Sequence, residues 1–385
     1  SSTTNKLLPF LPMPLIQILL GIGIGLCLPN NQYHLDTELF LALVIGPLLF
    51  REAQESDITS ILKHWRIVLF LIFPVIFISA LSMGGLAHVL WASLPLAACV
   101  AVGAALGPAD LVAFASLSQR FSFPKRISNI LKGEGLLNDA SGLVAFRMAL
   151  IAWTTGTFSL TQAGTSLAIS IVGGFAVGFI TALINRFLHT FLLSVRATDI
   201  ASELLLDLSL PLLTFFIAEE IHVSGIIAVV VAGILKASRF KKINLLEAQV
   251  DTVTETVWQT VTFMLNGSVF VILGMELEMI AEPILKSAFY NKVLLLLSVF
   301  LLTFLLFAIR FVMIYGFYAF RIKKLHKSLD KYVKDMLLLT FSGVKGTVSI
   351  ATILLIPSNL EQEYPLLLFL VAGVTLVSFL TGLLV

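Results

Sequence analysis

The stretch LKGEGLLNDASGLVAF, residues 131–146, sets Glu134, Asn138 and Asp139 into an otherwise apolar run. A further carboxylate, Asp110, follows Gly107 and Pro108 in GAALGPADLVAF. Two carboxylates, a side-chain amide and backbone carbonyls are hard oxygen ligands suited to a small monovalent cation. A carboxylate also takes a proton, on the same oxygens, so such a site holds one or the other and never both. On a helix, Glu134 lines up with Asn138 four residues on, and Asp139 turns about 100° away. Glu134 then supports from one side while Asp139 faces a cavity. Three basic residues also fall within apolar segments: Arg147, Arg310 and Lys345.

The medium around these residues follows from composition. Of 385 residues, 58% are hydrophobic and 12% charged, about half the roughly 25% charge of an ordinary soluble domain. Apolar stretches of about 18 residues or more, enough to cross a hydrocarbon core about 30 Å thick, recur along the chain. They mark an all-α polytopic membrane protein of about 12 transmembrane helices, near 10–28, 37–51, 64–86, 92–119, 128–153, 161–186, 199–222, 223–238, 253–277, 293–320, 334–356 and 364–385. The seventh and eighth nearly touch at EEIHVSG. Barrel strands alternate polar and apolar residues over about 10 positions, whereas KVLLLLSVFLLTFLLFAI is apolar on every side.

Of the 25 lysines and arginines, 20 lie toward one side, Lys286 and Lys292 toward the other, and Arg147, Arg310 and Lys345 inside helices. Cytoplasmic loops carry such an excess, which places both visible ends in the cytoplasm and the protein in the cell membrane. The same segregation accounts for the basic loops without nucleic acid, and the net charge is only +2. Cys27 and Cys99 lie in apolar helices and read as packing residues, with neither a disulfide framework nor metal spacing. No cleavable signal peptide is visible. The chain opens without methionine and stops inside FLTGLLV, so both ends read as cut, with any soluble C-terminal region outside this chain.

Depth singles out the acids. If the fifth helix enters near Ser128, Asp139 lies about 16 Å deep at 1.5 Å per residue, with Asp110 at about 14 Å and Lys345 at about the same level. A lone charge there costs about 2.5–3.5 kcal/mol. Several acids at one depth also repel one another, so Asp110, Glu134 and Asp139 point to an ion pathway rather than to a structural role. Arg147, near the outer end of its helix, reads as snorkelling. Asp207 and the Glu219–Glu220 pair, near helix ends, read as structural; Arg310 is deep with no partner identifiable from sequence, and it is taken with Lys345 and Arg147 as a candidate supporting charge of the site.

Two helices carry breaks. Pro108 removes a backbone hydrogen bond and clashes with the preceding turn, and Gly343 and Gly346 bracket Lys345 and weaken the eleventh helix. Broken backbone at membrane depth is tolerated where protein or a wet cavity satisfies the freed groups. Helices one to five and eight to twelve superpose as two sets of opposite direction, pairing the fourth with the eleventh. That is the inverted-repeat pattern of secondary transporters, with crossing interrupted helices. A single transmembrane domain, 1–385, then comprises repeat one at about 7–153, a linking helix at about 161–192 and repeat two at about 199–385. Lys345 offsets the negative C-terminal ends of the half-helices, and positive N-terminal ends face Asp110.

GPADLVAF followed about 20 residues later by GEGLLNDASGLVAFR resembles the monovalent cation/proton antiporter family that includes the sodium/proton exchangers. IGPLLFREA, AEEIHVSGIIAVVVAG, VFVILGMELE and GVKGTVS stand in the family's order, so the resemblance spans nearly the whole chain. It implies a thirteen-helix plan with the first helix absent here. It also implies that Asp139 carries the ion or proton, that Asn138 completes an Asn-Asp motif, and that Asp110 is the acid at the unwound crossing. Glu134 and Lys345 match a supporting acid–base pair of the family. Asn-Asp in place of Asp-Asp resembles the electroneutral branch, which exchanges one cation for one proton. A homodimer is implied in the same way, with the fourth, fifth, eleventh and twelfth helices as a moving core. Lys345 stands where the family commonly has arginine, and Gly135 where serine is common.

The expected activity is antiport of a monovalent cation, Na+ first and Li+ or K+ next, against H+, with no cofactor and no enzymatic reaction. A cation channel or a transport-derived sensor is the alternative, although no repeated filter segment is visible. An intramembrane aspartyl protease also sets two aspartates on neighbouring helices, but neither Tyr-Asp nor Gly-x-Gly-Asp surrounds Asp110 or Asp139.

Overall fold

The computed structural model describes residues 13–27, 37–110, 123–156, 160–194, 200–237, 245–286, 291–325, 332–356 and 364–384. Among the described residues all regular structure is helical. The main elements are α1 Met13–Cys27, α2 Gly46–Glu55, α3 Trp65–Leu90, α4 Leu96–Ala105, α5 Lys125–Thr155, α6 Leu160–Ser194, α7 Ile200–Glu220, α8 Gly225–Ala237, α9 Leu245–Lys286, α10 Lys292–Leu325, α11 Val333–Phe341, α12 Thr347–Ile353 and α13 Tyr364–Leu384. Seven of them, α3, α5, α6, α7, α9, α10 and α13, are long and apolar enough to cross a membrane; α1, α4 and α8 are apolar but shorter. This is an integral membrane protein.

Several helices outrun their apolar spans: α6 reaches Ser194, α9 runs over Leu245–Lys286 and α10 reaches Leu325. Hydropathy marks the hydrocarbon layer, whereas a helix continues for as long as its backbone hydrogen bonds do. The seventh and eighth spans do meet closely, through a turn at residues 221–224 in which His222 takes φ 60°.

Both expected breaks are present. α4 stops at Ala105, and Leu106 to Asp110 leave the helix; residues 111–122, which include the remainder of the fourth span, lie outside the described residues. The eleventh span is two helices, α11 and α12, separated by residues 342–346. Pro108 packs against α5 at Gly142, where any Cβ would overlap the proline ring.

A third irregularity helps to hold α5. Pro74 lies in a widened turn of α3, Leu71–Val75. Within that turn, the Ile72 carbonyl accepts the Ser141 hydroxyl of α5 at 2.9 Å.

The chain forms two compact units. One holds α1, α3 to α5, α10 to α13 and α9 from Phe270 onward. Its core, including Met83, Leu106, Phe146, Val344, Val371 and Phe379, surrounds the two breaks with apolar side chains. The buried Cys99 belongs to that core, but Cys27 is exposed, so the packing role expected of both cysteines holds for Cys99 alone.

The second unit holds α2, α6 to α8 and α9 up to Val269. A polar seam joins α6 to α7: Thr214 donates to Thr181 at 3.0 Å, Asn185 to the Leu206 carbonyl at 3.4 Å, and His189 lies 2.8 Å from Glu203. Asp207 pairs with Lys236, and Glu219 accepts the Gly225 amide. These acids serve helix joints, as their positions near helix ends indicate.

Candidate ion-binding site

The first unit brings Asp110, Glu134, Asn138, Asp139, Arg310 and Lys345 together, all of them buried. α5 supplies three of these residues. It starts after Pro124 and runs unbroken past Asp139 to Thr155. The α4 break supplies Asp110, α10 supplies Arg310, and the α11–α12 break supplies Lys345.

The two breaks touch through backbone. The Asp110 amide donates to the Val344 carbonyl at 2.9 Å, and the Lys345 amide donates to the Ser378 hydroxyl of α13 at 3.1 Å. Gly346 has no side chain for a steric reason: a Cβ there would collide with the Asp110 carboxylate. Gly343 is confined in the same way by the Arg310 guanidinium.

Lys345 Nζ donates to the carbonyls of Gly107 and Pro108, at 2.7 Å each. These carbonyls are at the interrupted end of α4, where the helix cannot use them, and an ammonium satisfies both their hydrogen bonding and their partial negative charge.

Glu134 has a different partner from the expected one. Arg310 Nη1 and Nη2 donate to its two oxygens at 2.5 and 2.7 Å, and Arg310 Nε donates to the Leu339 carbonyl at 2.9 Å. The acid–base pair implied for Glu134 and Lys345 is therefore a Glu134–Arg310 pair. A planar guanidinium matches a carboxylate with two parallel bonds, which an ammonium cannot do. Arg147, by contrast, is exposed on α5 and is not brought to this cluster.

Asn138 Nδ2 donates to the Ala109 carbonyl at 2.7 Å. Its Oδ1, together with Oδ1 of Asp139, is buried without a hydrogen-bond partner. The charged side chains acting on Asp139 are Asp110 and Lys345. Buried polar atoms are nearly always satisfied, so two unpartnered acceptor oxygens on adjacent residues are chemically suited to accept a proton or a cation. Sequence reasoning missed Ser141, whose hydroxyl also reaches the Asn138 carbonyl at 2.8 Å, and it missed Ser378. Ser141's spacing of three residues from Asn138 on one helix was the available signal.

Broken helices converging on buried acids within a membrane define a transporter-class architecture. The chain belongs to the sodium/hydrogen exchanger family: the profile described as "Sodium/hydrogen exchanger, transmembrane" matches residues 3–385. The family is one of transporters rather than enzymes. The chain is 35% identical over 384 residues to the "Sodium, potassium, lithium and rubidium/H(+) antiporter" of Bacillus subtilis, covering 98% of this chain and 57% of that protein. It is 31% identical over 400 residues to the "Uncharacterized Na(+)/H(+) exchanger YjcE" of Escherichia coli, covering 99% of this chain and 72% of that protein. The chain thus spans a little over half the length of the Bacillus relative. Its fold is similar to that of the sodium proton antiporter MjNhaP1 from Methanocaldococcus jannaschii at pH 8, with a TM-score of 0.69 at 16% identity over 100% of this chain and 91% of that one.

Proposed function

We propose that this protein exchanges a monovalent cation, Na+ with Li+ or K+ as alternatives, for H+ across the cell membrane. The observation that carries this reading is the pair of unpartnered buried oxygens on Asn138 and Asp139, next to the acid Asp110. Asp139 holds the proton or the cation. Asn138 and the freed backbone supply neutral oxygens, and Asp110 supplies the second charge. Lys345 keeps the α4 carbonyls occupied, and the Glu134–Arg310 pair cancels its own charge beside the site. Competition for one carboxylate becomes exchange when the site opens alternately to each side.

The finer features belong to the same proposal. One cation per proton keeps the cycle electroneutral. The chain carries two inverted repeats around the α4 and α11–α12 breaks, works as a homodimer and keeps both visible ends in the cytoplasm. The cation set named for the Bacillus subtilis relative supports a site that accepts more than Na+.

Purified protein in liposomes with an imposed pH gradient tests this directly. Proton efflux triggered by Na+, Li+ or K+ supports exchange. Cation current without proton movement replaces exchange with a channel.

A further inference from the structure

Arg126 and Glu134 lie eight residues apart on α5, and Tyr318 and Arg310 lie eight residues apart on α10. The helices meet in antiparallel register at both positions. At the second meeting point, away from the ion site, Arg126 Nη2 donates to the Tyr318 hydroxyl at 3.2 Å and Nη1 lies 3.5 Å from Asp335 of α11. The guanidinium carbon is 5.7 Å from the Tyr318 ring centroid and 5.5 Å from that of Tyr332, and these rings are 5.6 Å from each other. Tyr318 is buried.

α11 joins both places. Asp335 touches Arg126, and one turn later the Leu339 carbonyl accepts Arg310 Nε. Three helices are thus connected twice, about 12 Å apart along α5. Midway between, Ile130 and Ile314 are fully buried. A single connection lets a helix pivot about it, whereas two fix its tilt, rotation and height. The Arg126–Asp335 pair is long and partly exposed, so its Coulomb contribution is small. The guanidinium–aromatic contacts and the buried phenol carry the joint instead.

We propose that Arg126, Tyr318 and Asp335 are positioning residues for Asp139: a second clamp that, with Glu134–Arg310, fixes where α5 presents its carboxylate to the two helix breaks. The clamp never touches the ion. It acts by keeping α5 in one place relative to α10 and α11. This rests on the antiport reading for its kinetic consequence, but its structural consequence is measurable without transport.

Two readouts test it on the full chain. In proteoliposomes, Arg126→Ala and Tyr318→Ala each raise the Na+ concentration for half-maximal proton flux by about tenfold and move the pH profile, since small misplacements of reacting groups are costly. Tyr318→Phe, which keeps the ring, stays within about twofold, and Arg126→Lys, which keeps charge but not the planar face, resembles Arg126→Ala. The Arg126→Ala/Tyr318→Ala double variant is no worse than the stronger single one, because both break one joint. In detergent, spin labels on Lys132→Cys of α5 and Lys334→Cys of α11, in a Cys27→Ser background, give a narrow distance distribution that broadens on Arg126→Ala.

An unchanged distribution overturns the proposal whether or not the protein transports. So do alanine variants with normal half-saturation and pH profile that merely lower the yield of folded protein. Absence of cation-coupled proton flux from the parent protein, with the label distances behaving as stated, removes the antiport reading and leaves the clamp.

Discussion

Arg310 grips Glu134 with two parallel hydrogen bonds of 2.5 and 2.7 Å across 176 residues of sequence, and both side chains are buried. Glu134 lies five residues before Asp139 on α5, so its pairing with Arg310 of α10 places a net-neutral unit beside the proposed ion site. Removing one partner of a buried pair strands a charge and costs about 3–5 kcal/mol. Arg310→Ala is therefore expected to lower the melting temperature in detergent markedly. The Glu134→Leu/Arg310→Met double variant, which leaves no stranded charge, should recover most of that loss. A normal melting temperature for Arg310→Ala would falsify the role given to this pair.

Lys345 behaves differently because its partners are carbonyls. Lys345→Ala leaves Glu134 paired with Arg310 but strips the Gly107 and Pro108 carbonyls of their donor. Each buried group left unsatisfied costs about 1–3 kcal/mol. The variant should lose both stability and exchange. Lys345→Arg keeps a charge and several donors and should keep measurable exchange. Activity equal to the parent in Lys345→Ala, assayed by cation-triggered proton efflux, would remove the lysine from the account.

The legible part of this protein was the part that local sequence determines. Asp110, Asn138 and Asp139 stand out because charge and amide in an apolar run are expensive, and Pro108 and the glycines around Lys345 announce breaks that the structure contains. Pairing across helices was not legible. Nothing in the sequence sets the register of α5 against α10, so Arg310 was recognisable as a deep charge but not as the partner of Glu134. Ser378 carries no such mark, because a serine's value lies in which stray carbonyl or amide it meets, and across helices that is fixed only by packing.

Gly346 offers a steric test of the contact between the two breaks. A methyl group at this position would occupy the space of the Asp110 carboxylate. Gly346→Ala must therefore displace either Asp110 or the start of α12, and in both cases the acid leaves its place beside Lys345. Overpacking of this kind costs about 1–3 kcal/mol. The variant should insert into membranes and retain a cooperative melt while losing most of its exchange. Full exchange by Gly346→Ala, with the same dependence on Na+ concentration, contradicts the close approach of Asp110 to this glycine.

Asn138 and Asp139 separate the two chemical demands on the site. Asp139→Asn keeps shape and a hydrogen-bonding group but removes the carboxylate proposed to exchange a proton for a cation. It should fold, reach the membrane and move no protons in response to any cation. Asn138→Ala keeps the carboxylate but loses the bond to the Ala109 carbonyl and a neutral oxygen that has no other partner. A missing ligand and a stranded carbonyl weaken cation binding by about 1–3 kcal/mol, which is about fivefold to over a hundredfold in half-saturating cation concentration. Its maximal exchange rate should fall far less, because the proposed proton carrier remains. Should Asn138→Ala abolish exchange at every cation concentration while Asp139→Asn still exchanges, the two roles are reversed and the carboxylate is not the carrier.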